Sequence, residues 1–242
     1  MARAKRRFVG NQVYHVLNRG NGRIGIFSAA EDYQAFEAIL RQAVERFSMP
    51  LCCYCLMPNH WHLCVWPRQG QGEDVSAFMQ WLTLTHTRRW HACHGTTGHG
   101  HLYQGRFKSF PVQGDGHILK VFRYVEQNAL RAKLVSAAEN WPYGSLWRRE
   151  HVPLADRPWL SDWPVPQPSD WLESVNRIPD AAQLEALRLA SQRGRPFGSR
   201  AWTVDTASRL GLESSLRLRG RPPLKRSAAA ALEVDLTPVK GT

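Results

Sequence analysis

The stretch Leu51-Cys52-Cys53-Tyr54-Cys55-Leu56-Met57-Pro58-Asn59-His60-Trp61-His62-Leu63-Cys64-Val65-Trp66 holds two short apolar runs separated by Pro58-Asn59. Aromatic and thiol side chains bounded by a turn pair read as an antiparallel hairpin at the centre of a sheet. Side chains alternate along a strand, so His60 and His62 share one face and Trp61 takes the other. Two imidazoles on one face can hold one divalent cation, or they can be core-facing groups satisfied by hydrogen bonds; the spacing alone leaves both open.

Working outward, Gln12 to Arg19 alternates like a strand and stops at Gly20-Asn21-Gly22. Ser28, three residues before Glu31, reads as a capping box opening a helix whose apolar positions run from Tyr33 through Phe36, Ile39, Leu40, Ala43 and Val44 to Phe47. Beyond the hairpin, Val75, Phe78, Met79, Leu82 and His86 predict a second helix to about His94. Arg106 to Val112 reads as a fourth strand, and residues 116–132 as one further helix. The order β-α-β-β-α-β followed by a helix predicts an α+β, ferredoxin-like sandwich with a central antiparallel sheet.

Three regions follow: a catalytic-type domain over 1–138, a Trp/Pro-rich packing segment over 139–180 and a basic region over 181–242 with a tail expected to be disordered. The tryptophans of the middle region read as packing anchors, with stacking surfaces for unpaired bases as the other use. The formal net charge is +12 over 242 residues. It is concentrated: residues 1–30 contribute +6, residues 186–226 contribute +8, and everything else sums to −2. Such arms on a near-neutral body point to a polyanionic partner, nucleic acid above all. Five cysteines, an odd number with four of them crowded into one apolar stretch, suit reduced thiols rather than a disulfide framework. With no run apolar enough to span a membrane, the expected location is the cytoplasm.

On a helical wheel for 116–132, Tyr124 and Asn128 lie about 120° and 80° from the centre of the apolar stripe. They form an i, i+4 pair flanked by Lys120 and Arg131. A phenol, a carboxamide and two cations suit attack on a phosphodiester; a surface tyrosine among solvated charges is the plainer alternative.

Five co-linear segments resemble one family. They are Tyr14 to Asn21 (YHVLNRGN), Tyr54 to Leu63 (YCLMPNHWHL), Gln104 to Ser109 (QGRFKS), Tyr124 to Ala132 (YVEQNALRA), and the pair Gly194 to Gly198 (GRPFG) with Arg219 to Pro222 (RGRP). Together they resemble the Y1-type HUH single-strand DNA transposases, nearest to the REP-associated tyrosine transposases, relatives of IS200-like elements. The resemblance implies Tyr124 as nucleophile, His60, His62 and Asn128 as ligands of Mg²⁺ or Mn²⁺, and a 5′-phosphotyrosine intermediate. Family members often carry Asn-Pro-Val-Arg-Ala where this chain has Asn128-Ala129-Leu130-Arg131-Ala132. The implied substrate is single-stranded or hairpin DNA from palindromic repeats, handled by a monomer, with the dimer of the IS200-like relatives as the other possibility. A domesticated protein that binds hairpins without cutting is the competing function.

The DNA contacts expected from charge are Arg3, Lys5, Arg6, Arg7, Arg19, Arg106, Lys108, Lys120, Arg131, Arg219 and Arg221, the last two in a run that looks like an AT-hook core. Cys53 and Cys55 share a strand face, but whether it is the histidine face depends on the hairpin register. The run His60 to Cys64 also resembles a histidine-triad nucleotide hydrolase motif, against which stand Cys64 in the third position and the basic arms.

Overall fold

Four strands, β1 (Val13–Arg19), β2 (Leu51–Met57), β3 (His60–Val65) and β4 (Lys108–Val112), form one antiparallel sheet in the order β2-β3-β1-β4. The structure, a computed structural model, describes residues 6–114 and 116–217. Helix α1 (Ala30–Phe47) joins β1 to β2, and α2 (Asp74–Cys93) joins β3 to β4, which is the ferredoxin-like arrangement the pattern predicts. Both helices pack on one face, where Tyr14, Val16, Tyr54, Leu56, Trp61 and Leu63 meet Phe36, Ile39, Leu40, Phe78 and Leu82 in a closed apolar core.

The other face is covered by α3 (Gly116–Glu126), α4 (Asn128–Arg131) and α7 (Ala181–Arg193), with α5 (Ser145–His151) and α6 (Trp171–Asn176) beside them. Strand β2 is buried at all seven positions because both its faces are covered, which explains its unbroken apolar sequence. The sheet edges are also closed. Leu56 N–H donates to Tyr143 and Ser161 N–H to Leu51 along β2, while Phe197 N–H donates to Pro111 along β4. At Gly198, which follows Phe197, an added Cβ would lie 2.5 Å from the Gln113 side chain and 2.6 Å from Trp202, so only glycine fits the turn into α8 (Arg200–Leu210).

Within the Trp/Pro-rich stretch two short helices form, α5 and α6. Its tryptophans do anchor it: Trp141 Nε1 donates to the Leu56 carbonyl at 2.8 Å, Trp163 Nε1 to Cys52 at 3.0 Å, and Trp171 Nε1 to the buried Glu126 carboxylate at 2.8 Å. Two helix boundaries differ from those expected. The capping acid of α1 is Asp32 rather than Glu31, its carboxylate accepting from the N–H groups of Ser28 and Ala29 at 2.8 and 3.1 Å. The helix predicted over 116–132 breaks at Gln127, whose side chain donates to the carbonyls of Val175 and Arg177. No helix among the described residues is long and apolar enough to cross a membrane.

Candidate active site

The sheet register builds the site. Arg19 pairs with His60, Leu17 with His62 and His15 with Cys64, so consecutive outward positions of β1 and β3 present His15, His62, His60 and Arg19 to the face opposite α1 and α2. The hairpin register puts Cys55 opposite His62 and Cys53 opposite Cys64, which settles the face question: the thiols lie on the histidine face. They are buried, and burial pushes the Cys55 thiol up to about 12. Among the described residues no three His, Cys, Asp or Glu side chains are grouped to hold a metal.

Above this row the α3–α4 junction brings Tyr124 down with its ring perpendicular to His62, centroids 5.8 Å apart and planes at 89°. The break at Gln127 leaves the Asn128 carboxamide to donate from Nδ2 to the carbonyls of Tyr124 and Val125, both at 3.1 Å. That fixes Oδ1 as the outward group. Arg131 then touches both residues: its guanidinium stacks 4.3 Å over the Tyr124 ring and donates to Asn128 Oδ1.

The imidazoles are held neutral. Burial, and then the nearby Arg19 and Arg131, bring His60 down to about 4, and burial, then the neighbouring His60 and His15 and the two arginines, take His62 well below its ordinary value. His60 Nδ1 lies 2.6 Å from Asn59 Oδ1, an acceptor, so the nitrogen left over is Nε2 with its lone pair. Both rings line a cavity of about 540 Å³ with Tyr124, Asn128 and six basic side chains: Arg6, Arg19, Arg106, Lys108, Arg131 and Arg188. No acidic residue is in that lining among the described residues.

The structure therefore brings together Tyr124, Asn128, His60 and His62 with five of the expected DNA contacts: Arg6, Arg19, Arg106, Lys108 and Arg131. Arg7 lines an adjoining groove with Arg6, Arg106, Lys108 and Arg193. Lys120 is not beside Asn128 as the wheel suggested. It is exposed and lines a shallow surface with Tyr124, Arg131, Arg123 and Gln127, outside the cavity, since it stands eight residues before Asn128, about 12 Å along a helix axis. Arg3, Lys5, Arg219 and Arg221, and the tail that carries the last two, lie outside the described residues.

One wall of the cavity escaped the sequence reading. Arg188, Ser191 and Gln192 of α7 line it. Their i, i+3, i+4 spacing marks one polar face of a helix, the signal that could have singled them out.

Tyr124 thus faces two imidazoles inside a cavity whose lining, among the described residues, is basic and holds no acid, a set of groups suited to phosphate oxygens. The family described as Transposase IS200 like matches residues 8–128, a span that runs from the residue preceding β1 by a short loop to the asparagine of this site. The chain belongs to the IS200-like transposase family. Among solved structures, a REP-associated tyrosine transposase bound to a REP hairpin has a TM-score of 0.51 at 16% identity, covering 70% of this chain and 96% of its own. A Deinococcus radiodurans R1 protein described as a transposase is 19% identical with a TM-score of 0.38, over 52% of this chain and 96% of its own. No curated protein matched.

Proposed function

We propose that the chain is a metal-dependent single-strand DNA endonuclease and strand transferase that cuts and rejoins hairpin DNA through Tyr124. The observation that carries this is the opposition of Tyr124 to His62, 5.8 Å apart, within a cavity lined by cations. A divalent ion such as Mg²⁺ or Mn²⁺ suits the donors: two imidazoles kept neutral, with His60 Nε2 left bare, and a carboxamide whose Nδ2 is already committed to backbone carbonyls. His60, His62 and Asn128 would hold it. When bound, the ion supplies Lewis acidity to the scissile phosphate and offsets the charge developing there.

The residues of the chain do the rest. Tyr124 Oη attacks phosphorus in line; a Tyr–O–P bond forms to the 5′ side, the P–O3′ bond breaks, the phenolic proton passes to water, and the leaving oxygen takes up a proton as a free 3′-hydroxyl. Phosphodiester energy is kept in the Tyr124 link, so attack by another 3′-hydroxyl restores the phenol and joins strands without ATP. Arg131 orients nucleophile and carboxamide together, while Arg19, whose side chain lines the same cavity, suits a phosphate oxygen. The hairpin bound by the structural neighbour supports hairpin DNA as substrate. Tyrosine and histidines meeting within one chain support a monomer.

The test is incubation with hairpin oligonucleotides carrying single-stranded flanks, with Mg²⁺ or Mn²⁺, followed by denaturing electrophoresis. A covalent protein–DNA adduct that disappears in EDTA is expected; an adduct formed equally well in EDTA would overturn the metal dependence.

A further inference from the structure

Beneath the site, His15 Nε2 lies 2.8 Å from His62 Nδ1, with ring centroids 5.0 Å apart. His15 is fully buried and His62 is only 4% exposed. One proton occupies that gap, and its owner decides what His62 shows to the cavity. A neutral imidazole carries a single N–H. If His62 keeps it on Nδ1, Nε2 presents a lone pair; if His15 donates instead, His62 must carry its hydrogen on Nε2.

Two features bear on the choice. Arg19 and Arg131 line the cavity that His62 faces, and their positive field favours the lone-pair end of the ring over an N–H. His15 Nδ1, buried and without a partner among the described residues, is left as an unpaired N–H in the first arrangement and as an unpaired acceptor in the second, so it offsets part of that preference. The neighbouring ligand has the same design, since Asn59 Oδ1 can only accept from His60 Nδ1.

We propose that His15 is a positioning residue: its Nε2 accepts the Nδ1–H of His62 and holds that ring with Nε2 toward the cavity. The inference rests on His62 serving as a metal ligand, where removing such an outer partner typically weakens metal binding by roughly 10–100-fold. His15 packs against Phe110 at 4.7 Å between centroids, so a phenyl ring suits the position sterically while removing the acceptor.

The full chain, free of metal and labelled with ¹⁵N at histidine, gives the direct readout through imidazole N–H correlations. His62 protonated at Nδ1 and bare at Nε2 is expected; His62 protonated at Nε2 overturns the proposal. Mn²⁺ titration followed by electron paramagnetic resonance is the second readout. His15→Phe is expected to bind about 10–100-fold more weakly, and His15→Gln, whose carboxamide oxygen can take the place of Nε2, to recover most of the loss. Wild-type affinity in His15→Phe, with unchanged thermal unfolding, would also overturn it. Absence of Mn²⁺ binding in the wild type would sink the metal site itself, while the metal-free spectrum would still decide the role of His15.

Discussion

The two faces of the sheet are made by the same strands and do opposite things. Toward α1 and α2 the strands present Tyr14, Val16, Tyr54, Leu56, Trp61 and Leu63, closed over by aromatic and aliphatic side chains. Toward α3 and α7 they present His15, Arg19, His60 and His62, and the covering layer leaves a cavity of about 540 Å³. The period of two along a strand permits this division: in His60-Trp61-His62 one anchoring residue stands between two that carry chemistry. Stability and activity should therefore be separable by face.

The strongest way to break that comparison is a pair of adjacent substitutions. Trp61 is fully buried and donates to Tyr103 at 3.0 Å, so Trp61→Ala should destabilise the fold by about 3–5 kcal/mol in denaturant titrations. His62→Asn should abolish adduct formation while moving stability by no more than about 1 kcal/mol, the range of an ordinary hydrogen bond. Equal destabilisation by both would show that the faces are not separable.

Acid should attack both faces. On the closed one, burial holds His86 at about 3, well below its ordinary 6.5, so the unfolded chain takes the proton first. Its contribution is complete above pH 6.5 and is lost as pH falls toward 3, at about 1.4 kcal/mol per unit once protonation of the unfolded state is complete. Unfolding free energy measured from pH 7 to 4 should fall, and His86→Asn should flatten the curve. An unchanged slope in that variant would mean that the open face alone is acid-sensitive.

Smaller effects sharpen the map of the open face. In the logarithm of affinity for single-stranded DNA against the logarithm of salt, Arg19→Ala or Arg106→Ala should each reduce the slope by roughly 0.7, one phosphate contact. Lys120→Ala, outside the cavity, should leave it unchanged. Least of all, the exposed Arg41–Glu45 pair on α1, 3.0 Å apart, should contribute under about 0.5 kcal/mol, so Arg41→Ala serves as the baseline in the same denaturant titrations.

Local periodicity made the scaffold legible. The strands, the hairpin and both covering helices follow from alternation and 3.6-residue spacing, and the His60/His62 face from strand geometry. What depended on pairing between distant segments was not legible. His15 meets His62 only through the β1–β3 register, and α7 reaches the cavity only after the chain has crossed the edge of β2 and returned. A wheel put Lys120 on the flank of Tyr124 and Arg131, where it does share a surface with them, but a wheel ignores the rise along the axis, which leaves Lys120 outside the cavity that holds Asn128. Asp32 displaced Glu31 as the cap because the helix begins one residue later than the Ser28 pattern suggests.

The central claim is that Tyr124 takes the DNA strand. Its most direct test is to digest the covalent adduct formed with a hairpin oligonucleotide and locate the nucleotide-bearing peptide by mass spectrometry. A 5′-linked nucleotide on Tyr124, and no adduct from Tyr124→Phe, is the result expected. A nucleotide on any other residue, or an adduct that persists in Tyr124→Phe, would contradict it.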